Sequence, residues 1–346
     1  MKIAHIFTYF GDGGAEEHAI LLAQKTRSSN NEVLFITSES SERAKEKLKS
    51  NNFQTINLSM RSSFNPCLVL QSALSLKKTV ISQKIDIVHA HMLREQSLAV
   101  LAKILGGKFK LVRTFHRLDQ FNWKMKPLLP AYFKFTDAVI STSTTMSKYL
   151  NVNGWQGRFK LVENGVTRVV VPKHAEAIGF IGRLTPEKGI LKFIEANSDM
   201  LHKTKLVIAG DGPDFEMIRK VIAKNGLNVK LLGNVANKAD FYEKVSVLVL
   251  PSETEVLPLV ILEAYSCGLP VVAFDIESLR SLIKKDNGIL IGFPDYKQMG
   301  LVASDLVKKA SRYSDNNISD YRTKYSVDIM WKKTNTIYNH ILKAEH

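Results

Sequence analysis

The sequence predicts an α/β protein of two doubly wound domains in tandem. Three observations carry this. The chain has 346 residues, more than one core of roughly 150 residues accommodates. Short β-rich runs alternate with longer helical patterns, which argues a parallel sheet with helices on both faces. The alternation also breaks once, in a Gly-rich irregular stretch, and then restarts.

In the first half, "KIAHIFTYF" reads as a strand and "AEEHAILLAQKTRS" as a helix. "EVLFITS", "IDIVHAHM", "FKLVRTFH" and "DAVISTS" read as further strands, with "SLAVLAKILG" and "TTMSKYLNV" as helices. The pattern fails across "NGWQGRFKLVENGVTRVVVPKHA", which places a linker near 164–175. It resumes with strands "AIGFIGRL", "KLVIAGDG", "VKLLGNV", "SVLVLPS", "PVVAFD" and "GILIG". Between them lie helical runs such as "FEMIRKVIAKNG", "KADFYEKV" and "PLVILEAYSCG". The last segment has Ile329, Trp331, Ile337 and Ile341 at helical spacing, assigned to packing. The expected domains are 1–165, 166–325 and a final helix over 326–346 that crosses back to the first. The halves repeat an architecture, not a sequence.

Composition is that of a globular chain, 45% hydrophobic and 23% charged, with no apolar run near the roughly 20 residues that span a bilayer. "MKIAHIFTYF" reads as a buried first strand and not as a signal peptide, because no small-residue cleavage site follows it. Cys67 and Cys267 are far apart, which points to a reducing, cytoplasmic location without a disulfide framework. The net charge of +15 is uneven. Residues 1–165 hold 23 Lys and Arg against 12 Asp and Glu, and the remainder 25 against 21. A basic first half suits an anionic partner: nucleic acid, anionic lipid or a phosphorylated substrate.

Open α/β sheets bind ligands beyond the carboxyl ends of their strands, and domain interfaces are common ligand sites. The loops after strands are therefore the places to search, with a cleft expected between the domains. After the first strand comes "GDGGAEEH", with Gly13 and Gly14 opening a helix. Such glycines let backbone N–H groups face an anion, although the spacing is neither G-x-G-x-x-G nor a P-loop. "GRLTPEKG" places Arg183 and Lys188 around a Pro-started turn, a pair of cations suited to a pyrophosphate. "AGDGPD" and "LLGNV" end two further strands.

The most informative stretch is "ETEVLPLVILE", residues 253 to 263. Pro258 is expected at the first helical position, with Glu255 in the loop before it and Glu263 inside an apolar helix. N–H groups over 256–260 would face the same cleft. A carboxylate flanked by Ile261, Leu262 and Ala264 costs several kcal/mol to bury without donors, and sugar hydroxyls would supply them. Ordinary solvated loop and surface carboxylates are the alternative.

Taken together, "GGAE", "ENGV", "GRLTPEKG", "AGDGP", "LLGNV" and "PSETEVLPLVILEAYSCGLPVVA" resemble the retaining GT-B glycosyltransferases, specifically glycosyltransferase family 4. They occur in the family's order and cover nearly the whole chain. The resemblance implies a GT-B fold: two Rossmann-like domains facing a central cleft, the first for the acceptor and the second for the nucleotide-sugar donor. It implies that Glu263 holds the ribose hydroxyls and that Glu255 contacts the donor sugar. The backbone of Val256, Leu257, Pro258 and Leu259 would cradle sugar and phosphate, and Arg183 and Lys188 would neutralise the leaving diphosphate. Asn234 and Val235 would border the base, Gly13 and Gly14 would line the phosphate and acceptor side, and His116 would point toward the donor sugar. Many relatives read E-G-F-G-L where this chain reads Glu255-Val256-Leu257-Pro258-Leu259. Losing two glycines removes an N–H donor and backbone freedom, which alters donor fit rather than abolishing activity.

The implied reaction moves a sugar, with its anomeric configuration kept, from a nucleotide diphosphate sugar (UDP by base rate) to a hydroxyl of a glycan or lipid-linked acceptor. The pathway would build a surface polysaccharide, lipopolysaccharide or glycolipid. No metal or other cofactor is expected, since the cations replace one and no D-x-D signature occurs in the loops. The aromatic and Lys-rich "FNWKMKPLLPAYFKF", residues 121–135, suits an interfacial surface, so peripheral contact with an anionic membrane on its cytoplasmic face is expected. The alternatives are a nucleotide-binding scaffold without transferase activity, a soluble-glucan synthase and a sugar-nucleotide epimerase. Nucleic acid is not an expected partner, because no helix-turn-helix, RRM or zinc pattern accompanies the charge.

Overall fold

The computed structural model describes residues 1–11, 13–60, 65–116, 129–171, 175–255 and 258–344. It divides into two compact units, residues 1–165 with 327–346, and residues 166–326. Each is built on one parallel sheet, so the α/β doubly wound expectation holds.

Among the described residues the first unit carries seven strands: β1 (Lys2–Phe10), β2 (Glu32–Ser40), β3 (Gln54–Asn57), β4 (Ile87–Ala90), β5 (Lys110–Phe115), β6 (Ala138–Ser141) and β7 (Lys160–Leu161). Their order is β3-β2-β1-β4-β5-β6-β7. The second unit carries β8 (Ile178–Ile181), β9 (Leu206–Ala209), β10 (Val229–Leu231), β11 (Val247–Leu250), β12 (Val271–Phe274) and β13 (Gly288–Ile291), in the order β10-β9-β8-β11-β12-β13. Every pairing is parallel. In both sheets the order reverses beside the first strand, between β1 and β4 and between β8 and β11. Crossovers there leave to opposite faces, so the loops at those carboxyl ends part and open a crevice.

Both faces of each central strand are covered, which is why the strands read as continuous apolar runs. Side chains still alternate. In β11, Val247 and Val249 enter the core on one face while Leu248 and Leu250 enter the core on the other. In β12, Val272 and Phe274 join the first of these, and Val271 and Ala273 the second. The edge strands β3 and β7 are mostly exposed, and without apolar alternation the sequence did not mark them. The helix Pro66–Ser82 was likewise unmarked; Asn65 caps it by accepting from the Cys67 N–H, with Pro66 at its start.

The last helix, Val327–Lys343, packs on the helix Gly14–Arg27 of the first unit. Its buried stripe is Val327, Met330, Thr334, Tyr338 and Ile341. Of the residues expected to pack, Ile341 lies in this stripe, and Trp331 and Ile337 pack against the same core half-buried at its flank. Cys267 follows the helix Leu259–Ser266 as its C-cap and is buried, while Cys67 is exposed. Among the described residues no helix is long and apolar enough to cross a membrane.

Ile208 is fully buried in the second unit's core, and Met217 in the same unit is exposed. Replacing Ile208 by Ala removes buried methyls and leaves a cavity, so it should cost about 2–5 kcal/mol. Met217→Ala should cost less than about 0.5 kcal/mol. Urea unfolding followed by the second unit's transition measures both.

Candidate active site

At the reversal point of the second unit, the loop after β8 meets the loop after β11. Lys188 Nζ donates to Glu255 Oε1 at 2.5 Å, and the Glu253 N–H donates to the Glu187 carbonyl at 3.0 Å. Gly189 has φ +67°, and a Cβ there would lie 2.1 Å from the Pro251 carbonyl oxygen. Only glycine permits both this backbone and this approach. The Glu255 side chain is 8% exposed, so its charge depends on Lys188. Glu253 is separate from this pair and binds Lys192 at 2.6 Å. Arg183 is exposed and makes no ion pair with a described residue.

The neighbouring strand ends also converge. The Gly210 N–H donates to the Gly233 carbonyl at 2.7 Å. Gly210 has φ +133°, and a Cβ on it would sit 1.8 Å from the Gly182 oxygen. Three loops thus pack backbone to backbone. Asn234, just beyond, is exposed, and Val235 is half-buried against the core.

The helix after Glu255 runs Leu259–Ser266, and Pro258 is its N-cap with ψ 117°. This corrects the expected placement of Pro258 at the first helical position: its φ suits a helix, but its ψ is extended, so the helix starts one residue later. Pro258 is buried and Leu259 half-buried. The first N–H groups of the helix have no intrahelical acceptor. Val256 and Leu257 lie outside the described residues.

Glu263 is 2% exposed, as its apolar neighbours require. Its donors come from the chain itself and not only from the expected sugar hydroxyls. Lys238 Nζ donates to Oε1 at 2.5 Å. The Tyr242 hydroxyl lies 3.1 Å from Oε2 and 3.2 Å from the Val260 carbonyl, and its one proton serves one of them at a time. Burial, then the Glu263 charge, raises the Tyr242 hydroxyl well above its ordinary range, so it remains a donor. Neither residue was singled out from sequence. The signal was there: Lys238 and Tyr242 are four apart in "KADFYEKV", one face of a helical turn.

The first unit's reversal point holds a group the sequence reading missed apart from His116. His5 on β1 stands in register with His89 on β4. His91 follows β4, His116 follows β5 and His18 lies on the helix Gly14–Arg27. His5 Nδ1 is 2.9 Å from His91 Nε2, and His91 Nδ1 is 3.1 Å from His116 Nε2. His18 Nδ1 donates to Asn164 Oδ1 at 2.9 Å. His89 contacts the Tyr338 hydroxyl and Thr114 Oγ1 at 2.6 and 2.7 Å. Gly13 is the N-cap of the helix and Gly14 its first residue, both exposed. The visible signal was period two: His89 and His91 in "IVHAHM" share one face of a strand.

Burial governs these imidazoles. It pushes His5 down to about 3, helped by nearby His18, and His18 to about 4 against its bond to Asn164. Burial, then neighbouring histidines, lowers His89 and His91 well below the ordinary value, with Arg113 a further small cause at His89. Burial, then His18 and Arg113, does the same to His116. All five are neutral at pH 7. His5, His89 and His91, and likewise His18, His91 and His116, place their nitrogens within 4.8 Å of one another, so either group could reach a metal. The 2.9 and 3.1 Å separations, however, suit shared protons, and neither group has a carboxylate or thiolate to offset a dication.

In the same unit, at the carboxyl ends of β1, β2 and β3, lies an open hollow of about 500 Å³, lined by Tyr9, Ser38, Glu39, Asn57, Met60 and Arg94 among others.

Depressed histidines set a sign for pH dependence. The unfolded chain takes up protons below about pH 6.5 that the native histidines refuse, so stability falls as pH falls. The melting temperature should drop between pH 6.5 and 4 more steeply than in His5→Phe, which removes one refused proton. Equal slopes in scanning calorimetry would contradict this.

Two family models match the chain: "Glycosyl transferases group 1" over residues 166–321 and "Glycosyltransferase Family 4" over 12–168. An uncharacterised glycosyltransferase of Methanocaldococcus jannaschii is 29% identical over 234 residues, 64% of this chain and 65% of that protein. The match therefore spans a little under two thirds of that relative. The UDP-Gal:alpha-D-GlcNAc-diphosphoundecaprenol alpha-1,3-galactosyltransferase of Escherichia coli is 28% identical over 267 residues, 65% of this chain and 67% of that one. Among solved structures, Anabaena Alr3699/HepE in complex with UDP and glucose superposes with a TM-score of 0.82 at 18% identity, covering 98% of this chain and 99% of that one. That likeness is one of fold.

Proposed function

The chain belongs to the group 1, family 4 glycosyltransferases, and on that premise we propose that it moves a sugar from a nucleotide diphosphate sugar to an acceptor hydroxyl with retention. The observation that carries the reading is the pair of buried carboxylates on one helix and its leading loop, Glu255 held by Lys188 and Glu263 by Lys238. Glu263 takes the ribose hydroxyls and Glu255 the hydroxyls of the sugar. Asn234 and Val235 border the base, and the backbone over Val256–Leu259 faces the sugar and phosphates. In the reaction the bond from the anomeric carbon to the diphosphate oxygen breaks and a bond to the acceptor oxygen forms on the same face. The acceptor proton passes to the departing diphosphate, whose charge Arg183 and Lys188 offset. These cations take the part a metal plays elsewhere, so no metal is proposed. His116, Gly13 and Gly14 serve from the first unit.

UDP is the proposed nucleotide; the fold relative with UDP and the galactosyltransferase relative that uses UDP-Gal both support it. The proposed acceptor is a glycan or lipid-linked intermediate of surface polysaccharide synthesis, as that same relative's diphosphoundecaprenol acceptor suggests. The polar hollow at β1–β3 is the proposed acceptor entry. Cytoplasmic peripheral membrane contact is part of the same reading, but its locus shifts. Residues 121–128 of the aromatic stretch lie outside the described residues. Tyr132, in the remainder, is buried with its hydroxyl 2.7 Å from Ser97 Oγ. Leu70, Leu74 and Ile81 are instead exposed on the helix Pro66–Ser82, on a unit with a formal charge of +11 over residues 1–165. Apolar side chains on a basic unit suit an anionic bilayer.

A thermal-shift panel of nucleotide diphosphates and their sugars, without metal, tests the donor. UDP should raise the melting temperature and one UDP-sugar should raise it further, since both bind only the folded chain. Glu263→Gln should abolish the shift, and a shift unchanged in that variant sinks the assignment. Anionic liposomes at low salt should retain the wild-type protein and release Leu70→Glu/Leu74→Glu; equal retention would remove this helix from the membrane face.

A further inference from the structure

His5, His91 and His116 form a continuous line of hydrogen bonds across β1, β4 and β5, from the sheet interior to a half-buried end at His116. A neutral imidazole has one N–H and one bare nitrogen, so the line has two possible directions. In one, His5 Nδ1–H donates to His91 Nε2 and His91 Nδ1–H donates to His116 Nε2. The ends are then a lone pair on His5 Nε2 and an N–H on His116 Nδ1. In the other, every proton is reversed and His5 Nε2 carries an N–H. That nitrogen is buried and has no hydrogen-bond partner among the described residues, and a stranded buried N–H is the rarer arrangement in folded proteins. His18 beside the line makes the same choice. Asn164 Oδ1 accepts from its Nδ1, which leaves Nε2 bare and buried.

We propose that His5 and His91 are positioning residues that fix His116 as its Nδ1–H tautomer, so that it presents a hydrogen-bond donor to an oxygen of a sugar substrate. This rests on the transferase reading for its ligand, but not for its proton arrangement. The rings also fix the plane of His116. His91 stacks on Phe7 at 4.6 Å with an 8° interplanar angle, and His116 stacks on His91 at 22°. A donor at Nδ1 needs no charge on the ring, so it works on neutral imidazole, as at other sites where histidine acts as an uncharged electrophile.

The test uses the full chain labelled with 15N-histidine, and long-range 1H–15N correlation reads each ring's tautomer without any turnover. In the wild type, His116 should show a protonated Nδ1 and a bare Nε2. His5→Phe keeps the ring shape and removes the first donor, so His116 should become a mixture of tautomers or reverse. His91→Phe, which cuts the line directly, should do the same. In transfer assays His5→Phe should lower kcat about tenfold at an unchanged donor KM, and acceptor KM should not move. The proposal is overturned by a protonated Nε2 on wild-type His116, or by one tautomer persisting in both folded variants. It is equally overturned by one equivalent of zinc bound through His18, His91 and His116, or by an unchanged kcat in His5→Phe. If no nucleotide binds at all, the transferase reading fails while the tautomer pattern still stands or falls by itself.

Discussion

A carboxylate taken out of water must have its charge met at close range, and the second unit of this protein is organised by that requirement. Glu255 and Glu263 have side chains 8% and 3% exposed. Removing one partner of such a pair leaves a charge that the interior cannot solvate. Lys188 therefore has to come from the loop after β8, and Lys238 with Tyr242 from the turn after β10. The glycines at 189 and 210 let those loops approach closely enough. The geometry of three strand ends follows from two acids, Glu263 on one helix and Glu255 in the loop that leads into it.

The first half solves a different problem with different chemistry. Five histidines gather at its reversal point, and burial keeps them uncharged. Neutral imidazoles need pairing of protons with lone pairs rather than of opposite charges. Hydrogen bonds do this between neighbouring strands, with Tyr338 of the last helix completing His89. That helix thereby closes the first unit's core and satisfies a polar group inside it.

The α/β architecture was legible because parallel strands buried on both faces leave dense apolar runs, as in "SVLVLPS" and "PVVAFD". The glutamate pair was legible for the opposite reason: Glu263 is a charge in an apolar helix, and that demands an explanation. What stayed hidden depended on register. Whether His5 lies beside His89 is set by the pairing of β1 with β4, more than eighty residues apart in sequence. Lys238 could be assigned to Glu263 only once β10 and the helix Leu259–Ser266 had been placed. The edge strands β3 and β7, mostly exposed and short, lacked the periodicity that marks a strand. Pro258 was misplaced by one residue because φ alone does not distinguish an N-cap from a first helical residue.

In the proposed reaction Lys188 meets the diphosphate and Glu255 meets the sugar, although the two side chains are paired with each other in the structure. Isothermal titration of UDP and of the matching UDP-sugar into wild type, Lys188→Ala and Glu255→Gln separates these roles. Lys188→Ala should weaken both ligands at least about tenfold, roughly 1.4 kcal/mol, and Glu255→Gln should weaken only the sugar-bearing one. Unchanged affinities in Lys188→Ala, or equal losses for both ligands in Glu255→Gln, would contradict it.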